Sequence, residues 1–112
     1  MNIHSENRAE YDFSEGMKGL LRDYHTFLLD NHYSPVEVPD ELRGLLSLKE
    51  CEACDHALWM IEEMLGRRRP FHEVMANRWL GFVQAVLWIS GHRGISDLRR
   101  ETRKMLGLSA PP

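Results

Sequence analysis

Between Trp79 and Ile89 the chain reads Trp-Leu-Gly-Phe-Val-Gln-Ala-Val-Leu-Trp-Ile, eleven residues of which Gln84 alone is polar. A helix made from this run has no side to offer water. The expectation is therefore a third helix over 70–90, enclosed by its neighbours on nearly every side. Pro70 suits its first position, where a missing N–H costs nothing, and Gly91 can end it. The run falls short of the roughly 20 apolar residues that cross a bilayer, so it belongs to a core.

Periodicity supplies the helices that would enclose it. Phe13, Met17, Leu20, Leu21, Tyr24, Phe27 and Leu28 recur at the spacing that lines one helical face, which predicts a first helix over 13–29 with Asp12 and Glu15 as its capping box. Asp30–Pro39 lacks periodicity and reads as a loop, followed by a short helical turn at Asp40–Leu46. Ser47 and Glu50 form the clearest capping box, with Leu46 and Cys51 as a hydrophobic staple. They open a second helix over 47–65, whose apolar stripe is Cys51, Cys54, Leu58, Ile61 and Leu65 and whose end is a left-handed Gly66. Ser96 caps a fourth helix over 96–106, closed by Gly107. No segment reads as a strand. The fold class is all-α, a compact bundle of about four helices in one domain (12–107), with flexible tails at 1–11 and 108–112.

The net charge of −3 hides a division within the chain. Residues 1–66 hold five Lys/Arg against fourteen Asp/Glu (−9), and residues 67–112 hold nine against three (+6). An acidic half can pack on a basic half within the chain or across a homodimer. Alternatively, Arg67, Arg68, Arg69, Arg93, Arg99, Arg100, Arg103 and Lys104 present a basic face to an acidic protein or a phosphate. In an antiparallel bundle the loops before and after the third helix lie at opposite ends, so one continuous patch is not assured. A dedicated nucleic-acid binder is disfavoured by the sequence pI of about 6.0.

Candidate chemistry is sparse. Cys51, Cys54 and His56 resemble part of a zinc site, but zinc wants about four ligands and no second cysteine pair follows. The favoured expectation is two free thiols on the apolar stripe of a helix, with no metal or other cofactor. His72-Glu73 begins the helical zinc-protease pattern, which then fails because position 76 is Ala76. None of the serines sits on a nucleophile elbow, and no Gly-rich phosphate loop is present. The expectation is a protein that is not an enzyme.

Trp79 and Trp88 are expected in the core. Trp59 falls off the apolar stripe and, with Glu62 and Glu63, is a candidate interface. Gln84 needs a polar partner inside the bundle, and a structural anchor is favoured over a ligand contact.

Arg78-Trp79-Leu80-Gly81-Phe82-Val83-Gln84-Ala85-Val86-Leu87-Trp88, with Gly94-Ile95-Ser96-Asp97-Leu98-Arg99-Arg100, resembles small helical proteins encoded by phages and prophages. The resemblance covers the last third of the chain. It implies a bacterial cytosol, which the lack of a secretory signal in Met-Asn-Ile-His-Ser-Glu also suggests, and action by binding a host component. Anti-CRISPR-type inhibitors of defence systems are one outcome for proteins of this size. No functional residue carries over, because the shared positions look like core and caps. The leading expectation is a non-enzymatic inhibitor or adaptor on a host protein. The alternative is a nucleotide or small-ligand sponge that uses the arginines.

Overall fold

The computed structural model describes residues 12–39 and 50–108. Four helices carry the chain through these residues: α1 (Glu15–Asp30), α2 (Glu50–Gly66), α3 (Glu73–Ile89) and α4 (Ile95–Met105). No strand occurs among the described residues. The all-α four-helix class thus holds. The 1–11 tail, the Asp40–Leu46 turn, the Ser47 cap with its staple from Leu46, and residues 109–112 lie outside the described residues.

Helix starts follow local hydrogen bonding. Ser14, and not Asp12, caps α1: its Oγ accepts the N–H of Met17 at 3.1 Å. Asp12 accepts instead from Arg67, 2.6 Å away, and this bond lowers its carboxyl below the usual range. α3 starts three residues later than expected, with extended His72 at the N-cap and Pro70 outside the helix. At α4 the cap is Gly94, whose N–H donates to the Asp97 carboxylate at 2.9 Å; this bond, with Arg100 beside it, holds Asp97 below its ordinary value. The hydroxyl of Ser96 was the expected cap, but Ser96 lies inside the first turn.

All four helices end in the same paired motif, in which one residue donates its N–H to the carbonyl three positions back and the next residue donates to the carbonyl five positions back. Gly91 and Gly107 take the left-handed position after α3 and α4. His32 and Arg67 take it after α1 and α2, at φ 69° and 49°. Gly66 was expected in that position and lies one residue before it.

The order of packing corrects the expected centre. α2 packs on both α1 and α3, and α4 packs on α1, so α3 sits at one edge of the row. α2 is the enclosed helix, burying Cys54, Ala57, Leu58, Met60, Ile61 and Met64. α3 buries only Ala76, Leu80, Val83, Val86 and Leu87. The reason is geometric: an edge helix of 17 residues has no neighbour for its outward side, however apolar its sequence.

A polar tie closes the row at the inner side of α3. Nε2 of Gln84 donates to the Thr102 hydroxyl at 3.0 Å and to the Tyr24 hydroxyl at 3.3 Å, so Gln84 is the structural anchor its position suggested. Arg93 lies over the Phe27 ring, 4.3 Å from its centroid, and donates through Nε to Glu101 at 3.0 Å.

Candidate docking surface

The outward side of α3 is apolar and open. Val74 is 62% exposed, Phe82 48%, Trp88 49% and Ile89 77%, and Asn77, Arg78, Gly81 and Ala85 lie exposed among them. At about 100° per residue these positions occupy an arc of about 140°, directly opposite the arc of Ala76, Leu80, Val83 and Leu87. Both arcs are apolar, so α3 has a buried and an exposed side but no polar side. Trp88, expected in the core, is on the open one. Trp79 is partly buried and packs against the core.

Beside this face, at the junction with α2, the aromatics are stacked in series. His56 stacks on Trp59 with centroids 5.3 Å apart, Trp59 meets Trp79 at 6.0 Å, and Phe71 stands edge-on to Trp79 at 5.1 Å. The guanidinium of Arg69 lies over both Trp59 (5.3 Å) and Trp79 (5.2 Å) and donates to the Glu63 carboxylate at 2.9 Å. Phe82 reaches the edge of His56 at 6.0 Å, linking this shelf to the outward face. A groove of about 510 Å³ opens there, with Met60, Met75 and Trp79 at its floor and Val74, Arg78 and Phe82 on its rim.

The other expected site residues are dispersed. Cys54 is buried and Cys51 exposed, so they do not share a stripe as expected. Nδ1 of His56 accepts the N–H of Val38 at 2.9 Å. No group of three or more metal-binding side chains occurs among the described residues. Of the interface candidates, Trp59 is covered on one side by Arg69, Glu62 bonds His25 at 2.9 Å, and Glu63 is only 7% exposed and holds both Arg68 and Arg69. Glu63 is therefore an internal counter-ion.

The basic residues do not form one face. Arg67 shares a recess with Lys18 and Arg22 on one flank of α1, and Arg100 and Lys104 line another with Glu15, Gly19 and Asp23. Arg69 and Arg93 stand at opposite ends of α3, about 25 Å apart along its axis. Arg68 pairs with Glu63 at 3.4 Å, Arg93 with Glu101 and Arg100 with Asp97 at 2.8 Å. Arg99 and Lys104 are exposed on α4, and Arg103 is partly buried.

Val74, Arg78, Phe82 and Ile89 did not emerge from the sequence as site residues. Compared with protein-family models, with curated proteins and with solved structures, the chain matches none.

Proposed function

We propose that this chain is a non-enzymatic binding protein, a phage-type inhibitor or adaptor that acts on a host protein in the bacterial cytosol. The outward side of α3 carries this assignment. Monomeric soluble proteins seldom leave a contiguous apolar patch of several hundred Å² to water unless something docks on it. Here two aromatic side chains lie about half exposed and two branched aliphatic ones more than half exposed on one helix. Large, rigid side chains around small Gly81 and Ala85 are the composition expected of an interface core. The exposed Arg99 and Lys104 on α4, about 140° apart around the helix, add two separate basic points for an acidic protein surface.

The sponge alternative has less behind it. Arg67, Arg68, Arg69, Arg93 and Arg100 spend their charge on carboxylates of the same chain, and α1 separates the recess of Arg67, Lys18 and Arg22 from the one that Arg100 and Lys104 share with Glu15, Asp23 and Glu101. No helix among the described residues is long and apolar enough to cross a membrane.

Co-purification from bacterial lysate on a sizing column tests the function. One host protein should travel with the chain at fixed stoichiometry, and Ala85→Glu or the pair Arg99→Glu and Lys104→Glu should release it. Absence of any stoichiometric host protein, or one indifferent to all these changes, would overturn the assignment.

A further inference from the structure

We infer that the occupant of the outward face of α3 is α3 of a second copy of this chain, lying antiparallel with the two Gly81 residues at the two-fold axis. The inference rests on that face being a docking surface, as proposed above, and names its partner. Val74, Arg78, Gly81, Ala85 and Trp88 follow one another at steps of four and three residues, the spacing of a seam between two packed helices. All five are exposed, and nothing lies within 4 Å of a Cβ built at Gly81. The seam is symmetric in its outline: Gly81 at the centre, a large apolar residue seven positions to either side, and Phe82 and Ile89 along one shoulder.

Charge selects the direction of pairing. A parallel pair would set Arg78 against Arg78, like charges in contact within an apolar seam. The antiparallel pair about Gly81 moves the two guanidiniums apart. Each then lies against the exposed Ala85 of the other copy, one turn from its Trp88, over whose ring a guanidinium is well placed. Val74 meets Trp88 of the other copy at each end, and the absent side chain of Gly81 lets the helices approach closely at the middle.

The area is sufficient. With the exposures above, the four large apolar side chains offer roughly 400 Å² per copy. With the surfaces of Arg78, Asn77, Gly81 and Ala85, the pair would bury about 1,000 to 1,200 Å² in all, the lower end of specific interfaces. Such a dimer keeps α4, with Arg99 and Lys104, on its outside. The host partner then meets the outside of the paired chains, and Ala85→Glu releases it by separating the two copies that α3 holds together.

Sedimentation of the full chain at micromolar concentration should give twice the monomer mass of 13.1 kDa, and Ala85→Glu should halve it without loss of helical circular dichroism. In a Cys51→Ser background, a short bismaleimide should couple Gly81→Cys chains to one another. It should leave Val74→Cys chains single, because antiparallel pairing sets the two positions 74 about 21 Å apart. A monomer whose Gly81→Cys form does not couple overturns the inference, and so does self-coupling at position 74, the mark of a parallel pair. If the chain is monomeric and Ala85→Glu still releases a host protein, the docking surface stands and the second copy falls. If the chain is dimeric and no host protein co-purifies, the dimer stands and the inhibitor function falls.

Discussion

The hydroxyl of Tyr24 donates to the carboxylate of Glu101 across 2.7 Å, joining α1 to α4. Glu101 is held from its other oxygen by Arg93, and Tyr24 itself accepts from Gln84. Three helices and the α3–α4 connection therefore meet at one phenol. α4 buries no residue fully, so its place in the row depends on this tie and on Met105 more than on apolar area.

Tyr24→Phe should lower stability by about 1–3 kcal/mol at neutral pH, the range for losing a hydrogen bond to a charged group. Burial raises the Tyr24 phenol above its ordinary value, and the Glu101 hydrogen bond adds to the rise against the opposing bond from Gln84. The folded chain thus favours the neutral phenol. Its contribution is whole below the ordinary phenol pKa, near 10, and is lost as pH climbs beyond that value. Urea melts at stepped pH check both points: the gap between parent and Tyr24→Phe should narrow on the alkaline side. A gap that stays constant or widens would count against the assignment.

Arg69 serves Glu63, Trp59 and Trp79 at once, and Arg68 touches only the same carboxylate from a longer distance. Arg69→Ala should therefore cost about 1–3 kcal/mol, a buried-pair loss reduced because Arg69 is partly exposed, whereas Arg68→Ala should cost under about 0.5 kcal/mol. Pairing Arg69→Ala with Glu63→Met should restore part of the loss by removing the stranded carboxylate. Denaturant midpoints of the three variants, with tryptophan emission as a second signal for Trp59 and Trp79, decide this. Equal costs for the two arginines would refute the division of labour.

Helix number and the inner face of α1 were legible because apolar residues there recur at a helical period against a polar background. α3 defeated the same logic. Its buried arc and its open arc are both apolar, so periodicity vanishes, and enclosure was the natural expectation for Trp88 and Phe82. Only the packing order, with α2 between α1 and α3, distinguishes a core face from a docking face. The anchor role of Gln84 was readable from a lone amide in an apolar run. The position of Trp59 off the stripe of α2 was the legible trace of the aromatic shelf, but its cover by Arg69 depends on how the α2–α3 connection folds back. The left-handed His32 and Arg67 were hidden because neither is glycine.

His32 is exposed at φ 69°, with its N–H bonded to the Leu29 carbonyl and the N–H of Tyr33 bonded to that of Leu28. A side chain in this conformation costs about 1 kcal/mol that glycine does not incur. His32→Gly should therefore stabilise the chain by about that amount, and Gly91→Ala, at φ 80°, should destabilise it similarly. Thermal melts of the two variants should shift in opposite directions. Two shifts of the same sign would show that the helix ends do not govern these positions.

Gly16 and Gly19 lie one turn apart on α1, yet their substitutions should act in opposite ways. Nothing lies within 4 Å of a Cβ at Gly19, so Gly19→Ala gains the usual helical preference of alanine, about 0.5–1 kcal/mol. A Cβ at Gly16 would collide with the carbonyl oxygen of Met105 and sit 3.1 Å from its carbon. Both atoms are backbone at the last turn of α4, where no rotamer change can make room. Gly16→Ala must push α4 off α1, which strains the Tyr24–Glu101 and Gln84–Thr102 bonds and outweighs the gain in helix preference. The expected net loss is about 1–3 kcal/mol, typical of overpacking. It should appear first as faster hydrogen exchange at the amides of 95–105, with α2 still protected, since α4 touches α1 and has no extensive contact with α2. If Gly16→Ala instead stabilised the chain as Gly19→Ala does, the close approach of α1 to the end of α4 would have to be abandoned.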